Sequence, residues 1–315
     1  MLVIRDGQQL PERARGGVLA IGNFDGVHRG HKALLREAVR IGKAASRPAG
    51  AIIFEPQPRE FFHPDEAHFR LTPLPEKLRL LEEIGLDFAI VLDFNAELAS
   101  LPAEDFITKV LVETYGLTHA VIGYDFYFGK ARGGTPDTMR AAGEKLGFGV
   151  SVIAQQGEEG EIFSSTAIRL HLVQGDIRAA TYALGHWWRV NARVISGQKL
   201  GTSLGFPTAN VELPPGCALL HGIYATRVLI GGAVYFGAAY FGTRPTADNG
   251  PVRLEVFVLD FNGDLYDREI AIEFVDFIRE DKRFPSLDEL KAQIAKDCEQ
   301  ARAILSAAGD RPQIS

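Results

Sequence analysis

The stretch Val18-Leu-Ala-Ile-Gly-Asn-Phe-Asp-Gly-Val-His-Arg-Gly-His31 decides how the first half of the chain is read. Val18 to Ile21 form a short apolar run of buried-strand character, and Gly22 and Gly26 break it. From His31 onward Leu34, Leu35, Ala38 and Val39 recur at helical spacing. Strand, glycine-bearing turn and helix together aim backbone N–H groups and a helix N-terminus at an anion. His28 and His31 stand three residues apart at the start of that helix, so both imidazoles fit one face. Two surface histidines beside a βα turn fit the same spacing, and the histidines alone leave both readings open.

Outward from this stretch, apolar runs recur at Ala51–Phe54, Phe88–Leu92, Ala120–Ile122 and Val150–Ile153. Helical patterns separate them, one carrying Leu78, Leu81 and Ile84, another Phe106, Ile107, Val110 and Leu111. Such alternation predicts βαβ units and a parallel sheet covered on both faces, with ligands beyond the carboxyl ends of the strands. Three loops follow strands and carry unusual residues: Gly22–Gly30, Glu55–Arg59 and Gly123–Lys130. Glu55-Pro-Gln-Pro58 reads as a rigid turn that resists helix, either a simple stiff corner or a ligand contact. Gly123-Tyr-Asp-Phe-Tyr-Phe-Gly-Lys130 sets aromatics and an acid between glycines, a lining for a planar ligand or a piece of core. Neither a P-loop nor a Gly-x-Gly-x-x-Gly fingerprint follows the first strand. In Phe163-Ser-Ser-Thr-Ala-Ile-Arg169 the hydroxyls fit helix N-caps, and together with Arg169 they also suit phosphate oxygens.

Around His186-Trp-Trp188 the pattern changes to period two, in Arg189–Ile195, Tyr224–Ile230, Val234–Tyr240, Val252–Leu259 and Ile270–Phe277. Asn262-Gly263 signals a hairpin between the last two. An antiparallel barrel or sandwich is expected, then a helix opened by Ser286-x-x-Glu289 with a stripe of Leu290, Ile294, Cys298, Ala301 and Ile304, and a loose tail after Gly309. The expected division is 1–185 and 186–315, as length also favours two domains. Glycines every four residues, Gly197, Gly201 and Gly205, leave the backbone bare for phosphates or make a plain β-turn, and Pro207 stiffens the next turn. Thr208 and Asn210 alternate onto one face as hard oxygen ligands suited to Mg²⁺. Glu255 shares a face with Arg253, which a surface ion pair explains equally well.

Net charge −6 argues against a basic coat for nucleic acid. Cys217 and Cys298 lack metal or redox spacing and read as free thiols. No secretory signal or membrane-length apolar run is evident, so the expectation is a soluble cytoplasmic protein. Oligomeric state is not legible.

The string Gly22-x-Phe24-Asp25-Gly26-Val27-His28-x-Gly30-His31 resembles the nucleotidyltransferase motif of bacterial bifunctional riboflavin kinase/FAD synthetases. The similarity continues at Phe163–Arg169, Leu204-Gly-Phe-Pro-Thr-Ala-Asn210, Gly242-Thr-Arg-Pro-Thr246, Leu254-Glu255, Leu259-Asp-Phe261 and Asp264-Leu-Tyr266. It implies an α/β plus β architecture: an N-terminal Rossmann-like nucleotidyltransferase domain, then a small antiparallel Greek-key β-barrel with a C-terminal helix. It implies two ATP-dependent reactions, riboflavin to FMN and FMN to FAD, with Mg²⁺ as cofactor and riboflavin, FMN and ATP as small-molecule partners. By the same resemblance Glu255 is the base of the kinase step, and His28 and His31 serve adenylyl transfer. ATP and its phosphates fall to Gly22, Asn23, Phe24, Gly30, Ser164, Ser165, Thr166 and Arg169, and in the second half to Gly197, Gly201, Gly205 and Pro207. Flavin contacts fall to Asp125, Phe126, Phe128 and Arg244, and the metal to Thr208 and Asn210. The chain departs from the family's usual residues at Gln57, Ala167, Thr202, Tyr240-Phe241 and Phe257.

Overall fold

Leu2–Arg5 (β1), Val18–Ile21 (β2), Ala49–Glu55 (β3), Phe88–Asp93 (β4), His119–Gly123 (β5) and Gly149–Ile153 (β6) form one parallel sheet in the order β1-β4-β3-β2-β5-β6. The computed structural model describes residues 1–158, 160–195, 206, 208–213, 216–243 and 252–312. Packing divides them into two units: 1–67 with 72–163, and 68–71 with 164 to the C-terminus.

In the first unit the sheet separates two apolar layers, as period-two side-chain alternation dictates. Leu19, Ile21, Ile52, Phe54, Ile90 and Leu92 face one layer. Val18, Ala20, Ala51, Ile53, Ala89 and Val91 face the other. Arg29–Ala45 (α1) covers the second layer with Leu34, Leu35 and Ala38, and Leu74–Ile84 (α3) adds Leu80 and Leu81. The short helices Pro58–Phe62 (α2), Ala96–Ser100 (α4) and Ala103–Asp105 (α5) intervene, and α5 runs into a π-helical stretch, Phe106–Thr114. That stretch and Pro136–Leu146 (α6) supply Ile107, Leu111 and Met139 to the first layer. Gly157–Glu158 (β7) and Glu161–Ile162 (β8) make a small hairpin. The stiff corner expected at Glu55–Pro58 is instead a helix start. Pro58 opens α2, where its missing N–H costs nothing, and Gln57 N donates to Glu60 Oε2 at 3.0 Å.

The second unit contains Ser165–Gln174 (α7) and Ile177–Leu184 (α8), then a closed antiparallel barrel. Its strands are Trp188–Ile195 (β9), Thr208–Val211 (β10), Gly222–Ile230 (β11), Ala233–Gly242 (β12), Arg253–Val258 (β13) and Glu269–Glu280 (β14). The closure order β10-β13-β12-β11-β14-β9 contains β14 beside β11-β12-β13, the 4-1-2-3 arrangement of a Greek key. This corrects the hairpin read at Asn262-Gly263. Both edges of β13 are taken, by β10 and β12, so the chain crosses from Val258 to Glu269 before β14 pairs with β11 and β9.

Leu287–Ala308 (α9) is capped by Ser286, whose hydroxyl accepts from Glu289 N at 3.2 Å. It packs on β11, β12 and β14 through Cys298, Ala301 and Leu305, with Ile294 and Ile304 at the margin. The tail is pinned where it leaves the helix, since Arg227 Nη1 donates to the Gly309 carbonyl at 2.7 Å.

Residues 164–185, expected with the first domain, pack in the second unit. Helix α8 buries Ile177, Ala180, Ala183 and Leu184, and lies against β9 and β14. The segment 68–71 is held there too: Trp188 Nε1 donates to Leu71 O at 3.1 Å, and Phe69 meets Trp188 edge-on at 5.6 Å.

Candidate active sites

At the carboxyl end of β2 the chain turns through Gly22–Val27 into α1. Phe24 and Val27 adopt left-handed φ values of 47° and 41°, and Gly26 takes 87°. A β-branched residue at positive φ is a genuine outlier and persists only where its surroundings over-determine it. Phe24 and Val27 are buried, and the buried Thr72 grips the turn on both sides. Its hydroxyl accepts from Gly26 N at 2.8 Å, and its N–H donates to Asp25 Oδ1 at 3.0 Å. Lys77 Nζ donates to the Asn23 carbonyl at 2.6 Å.

His28 is the N-cap of α1: its Nδ1 accepts from His31 N at 3.3 Å. That bond leaves the proton of the neutral ring on Nε2, a donor. The two imidazoles stack at 3.6 Å, and Phe24 meets His31 edge-on at 5.3 Å. Burial lowers the His28 pKa to about 4 against an opposing pull from Asp25. Burial, then His28 and Lys77, hold His31 well below the ordinary imidazole range. Both rings are therefore neutral at pH 7 and act as hydrogen-bonding groups rather than cations. Gly30 lies in close approach: a Cβ there would stand 3.1 Å from the His28 ring and 3.3 Å from the Phe163 carbonyl, so a larger residue would press on the ring.

Gly22, Asn23, Phe24, His28, Gly30 and His31 thus form one turn, with Asn23 exposed and Phe24 beneath it. The loop after the neighbouring strand β5 carries the exposed Asp125. Phe128 belongs to the core: it packs against Phe106 at 5.7 Å and stacks on Phe126 at 5.2 Å, so it backs Phe126 rather than facing outward. Ser164 caps α7 by accepting from Ala167 N at 3.1 Å, the helix-cap reading of that hydroxyl. Ser165 and Thr166 follow in the first turn of α7. Arg169 Nε donates to Phe69 O at 2.7 Å and Nη1 to Ser165 O at 3.3 Å, all within the second unit.

On the barrel, register joins the other candidates into one row. Asn210 on β10 pairs with Glu255 on β13, which pairs with Tyr240 on β12, and Thr208 pairs with Phe257. Ala209, Val211, Leu254, Val256, Ala239 and Phe241 are buried on the alternate positions and fill the interior, so the Thr208–Asn210–Glu255 face is the outer wall. Asn210 is nonetheless buried, and its Oδ1 has no hydrogen-bond partner among the described residues. Tyr240 OH donates to Asp281 Oδ2 at 2.8 Å. Gly197, Gly201, Thr202, Gly205, Pro207 and Arg244 lie outside the described residues.

The sequence models of two families match in succession: FAD synthetase over residues 10–167 and riboflavin kinase over residues 184–305. A bifunctional riboflavin kinase/FMN adenylyltransferase of Escherichia coli K12 is 42% identical over 94% of this chain and 96% of its own length. One from Pseudomonas fluorescens is 41% identical over 99% and 100%. This chain belongs to the bifunctional riboflavin kinase/FMN adenylyltransferase family. Within that family's two-part plan, the histidine turn falls in the FAD synthetase match and the Asn210–Glu255 row in the riboflavin kinase match. A crystal structure described as a macrolide-efflux protein from Streptococcus pneumoniae superposes with a TM-score of 0.83 at 26% identity, covering 96% of this chain and 99% of that one. Among the described residues no helix is long and apolar enough to cross a membrane.

Sequence reasoning missed Thr72 and Lys77. The signal for Lys77 was present: it falls on the same stripe as Leu74 and Leu81, where a charge has no ordinary place. It also missed an aromatic cluster past the ends of β3 and β4, where Phe94 meets Phe54, Phe61 and Phe62 edge-on at 5.9, 5.4 and 5.8 Å, with Phe62 60% exposed.

Proposed function

We infer that each unit carries out one of the family's two ATP-dependent steps at the site described above. The barrel row phosphorylates riboflavin to FMN. Glu255 accepts the proton of the attacking ribityl hydroxyl as that oxygen bonds to the γ-phosphorus of ATP and ADP leaves. Thr208 and Asn210 fit a divalent cation, and the supporting observation is the buried Asn210 Oδ1 that lacks a partner among the described residues. Thr208 and Asn210 would hold the magnesium ion, which would supply positive charge against the nucleotide phosphates. Glycines 197, 201 and 205 with Pro207 fall to the phosphates by the family resemblance alone, as Arg244 does to the flavin.

The first unit joins FMN to AMP. An FMN phosphate oxygen bonds to the α-phosphorus of ATP, the bond to the bridging oxygen breaks and pyrophosphate departs, so no protein nucleophile is needed. The reading rests on the stacked, neutral His28–His31 pair beside the bare turn. Nε2–H of His28 donates to phosphate oxygens where charge develops, and backbone N–H groups of the turn add to it. Asn23 offers its exposed amide on the same turn. Ser164, Ser165, Thr166 and Arg169, which pack in the second unit, fall to the phosphates by the family resemblance alone. Asp125 and Phe126 are assigned to the flavin.

Paired variants of the full chain test both assignments. His28→Ala cuts FAD formation from FMN by about 10²–10³-fold and spares FMN formation. Glu255→Gln reverses this, with FMN formation down roughly 10²–10⁴-fold and FAD formation from supplied FMN intact. Folded variants that lose both activities together, or neither, overturn the division of labour.

A further inference from the structure

The turn between β2 and α1 is held in a shape its own residues resist, and much of the hold comes from residues 72–77. Thr72 fixes the turn at Asp25 and Gly26. Lys77 reaches its first half from α3 and donates to the Asn23 carbonyl at 2.6 Å. Only 1% of Lys77 is exposed, and its place on the α3 stripe is one that leucine or methionine would fill without desolvating an ammonium. An apolar residue would pack there more cheaply, so what lysine adds at this position is its donor to the Asn23 carbonyl and the charge of an ammonium.

We propose that Lys77 is a positioning residue for adenylyl transfer: it fixes the backbone of the phosphate-facing turn through the Asn23 carbonyl and keeps an immobile positive charge behind the histidine pair. This rests on the assignment of the His28–His31 turn to the ATP phosphates. Among the described residues, the charged groups that act on the pair include Asp25 from the turn, Lys32 from α1 and Lys77 from α3. Asp25 favours the protonated form of His28 and Lys32 opposes it, whereas Lys77 acts on His31, in the same direction as burial. A neutral pair is what the geometry requires. Protonation at Nδ1 of His28 removes the acceptor that caps α1, and two charged rings repel at a 3.6 Å stacking distance. Lys77 thus supplies positive charge to the neighbourhood of the phosphates without charging the rings that touch them.

The test uses the full-length chain with Lys77→Met, Lys77→Arg and His28→Ala. FMN-to-FAD conversion is read as kcat and KM for ATP, riboflavin-to-FMN conversion is read in the same preparations, and the His31 imidazole is titrated by NMR. Lys77→Met lowers FAD formation about 10- to 100-fold through a displaced turn, raises KM for ATP, leaves FMN formation unchanged and moves the His31 titration to higher pH. Lys77→Arg, which keeps the charge, recovers most of the rate and the parental titration. A folded Lys77→Met with parental rate and titration overturns the proposal. So do two folded variants equally impaired with His31 unmoved, because shape alone then explains the lysine. If Lys77→Met does not fold, Lys77→Arg decides: a rate within tenfold of the parent and an unmoved His31 support the proposal, and a folded arginine variant 100-fold down overturns it. His28→Ala separates the two layers of argument. Lost FAD formation there beside an unaffected Lys77→Met overturns the role of Lys77 alone, whereas an unaffected His28→Ala overturns the site beneath it.

Discussion

His28 serves the fold and the site with the same nitrogen. Its Nδ1 caps α1, and that bond fixes the tautomer that leaves Nε2–H free to donate. Burial lowers its pKa from 6.5 to about 4, so folding favours the neutral ring. Between pH 6.5 and 4 the unfolded chain binds the proton and the folded chain does not. The contribution is therefore complete above pH 6.5 and is lost as pH falls toward 4, on the order of 3 kcal/mol across the window. Denaturant unfolding followed by circular dichroism checks this. The parent loses stability steeply from pH 6.5 to 4.5. His28→Asn, which keeps a cap and cannot titrate, has a shallower slope that retains only what His31 and other groups contribute. Equal slopes in the two proteins assign the acid sensitivity elsewhere.

At the scale of elements, strands β2 to β6 were readable because a parallel strand buried on both faces is an unbroken apolar run. The loops were readable because glycine and proline stop those runs. Strand β1 was not: Leu2–Arg5 is four residues ending in a charge, and only its pairing with β4 makes it a strand. Asn262-Gly263 misled because a turn dipeptide reports local geometry, and the barrel had already filled both edges of β13. The site was legible where motif and periodicity coincide, at His28 and His31. A charge on an apolar stripe, as Lys77 is on α3 and Asp297 on α9, marks a place in the sequence but not its partner, which only the fold supplies. Asp297 is buried at 3% exposure and takes a two-pronged bond from Arg279 on β14, Nε to Oδ1 at 2.9 Å and Nη2 to Oδ2 at 2.7 Å. Gln293 adds a donor at 2.9 Å. Such a pair fixes how α9 seats on the barrel more than it adds stability. Arg279→Met, which strands the carboxylate, costs about 3–5 kcal/mol in urea unfolding. The double variant Arg279→Met/Asp297→Leu recovers most of that loss. If the double variant is as unstable as the single, the pair contributes directly and the seating argument is wrong.

Across the whole molecule, the pattern of hydrophobic period and the packing of the chain disagree about where one unit ends. Period two begins near His186, but α7 and α8 and the distant segment 68–71 pack with the barrel. Three ties hold them there. Arg178 binds Asp276 on β14, with Nη2 at 2.6 Å from Oδ2. The apolar side of α8 is buried on β9 and β14. Leu71 O satisfies the indole of the buried Trp188, which itself packs on Phe274 at 4.9 Å. A chain cut between Gly185 and His186 keeps every residue assigned to the kinase step, yet it uncovers the barrel side that α8 protects, whereas the Trp188 N–H loses the Leu71 carbonyl equally in 186–315 and 164–315. What separates the two is the uncovered apolar side of β9 and β14, at about 25 cal/mol per Å² exposed. The fragment 186–315 is therefore expected to phosphorylate riboflavin but to unfold at lower urea than 164–315, which keeps α7 and α8. The complementary fragment 1–185 carries α8 with its apolar face bare and is expected to associate in size-exclusion chromatography, whereas 1–163 runs as a smaller species. Equal urea midpoints for the two C-terminal fragments, both active, would place the working boundary at His186 after all and reduce α7 and α8 to a connector.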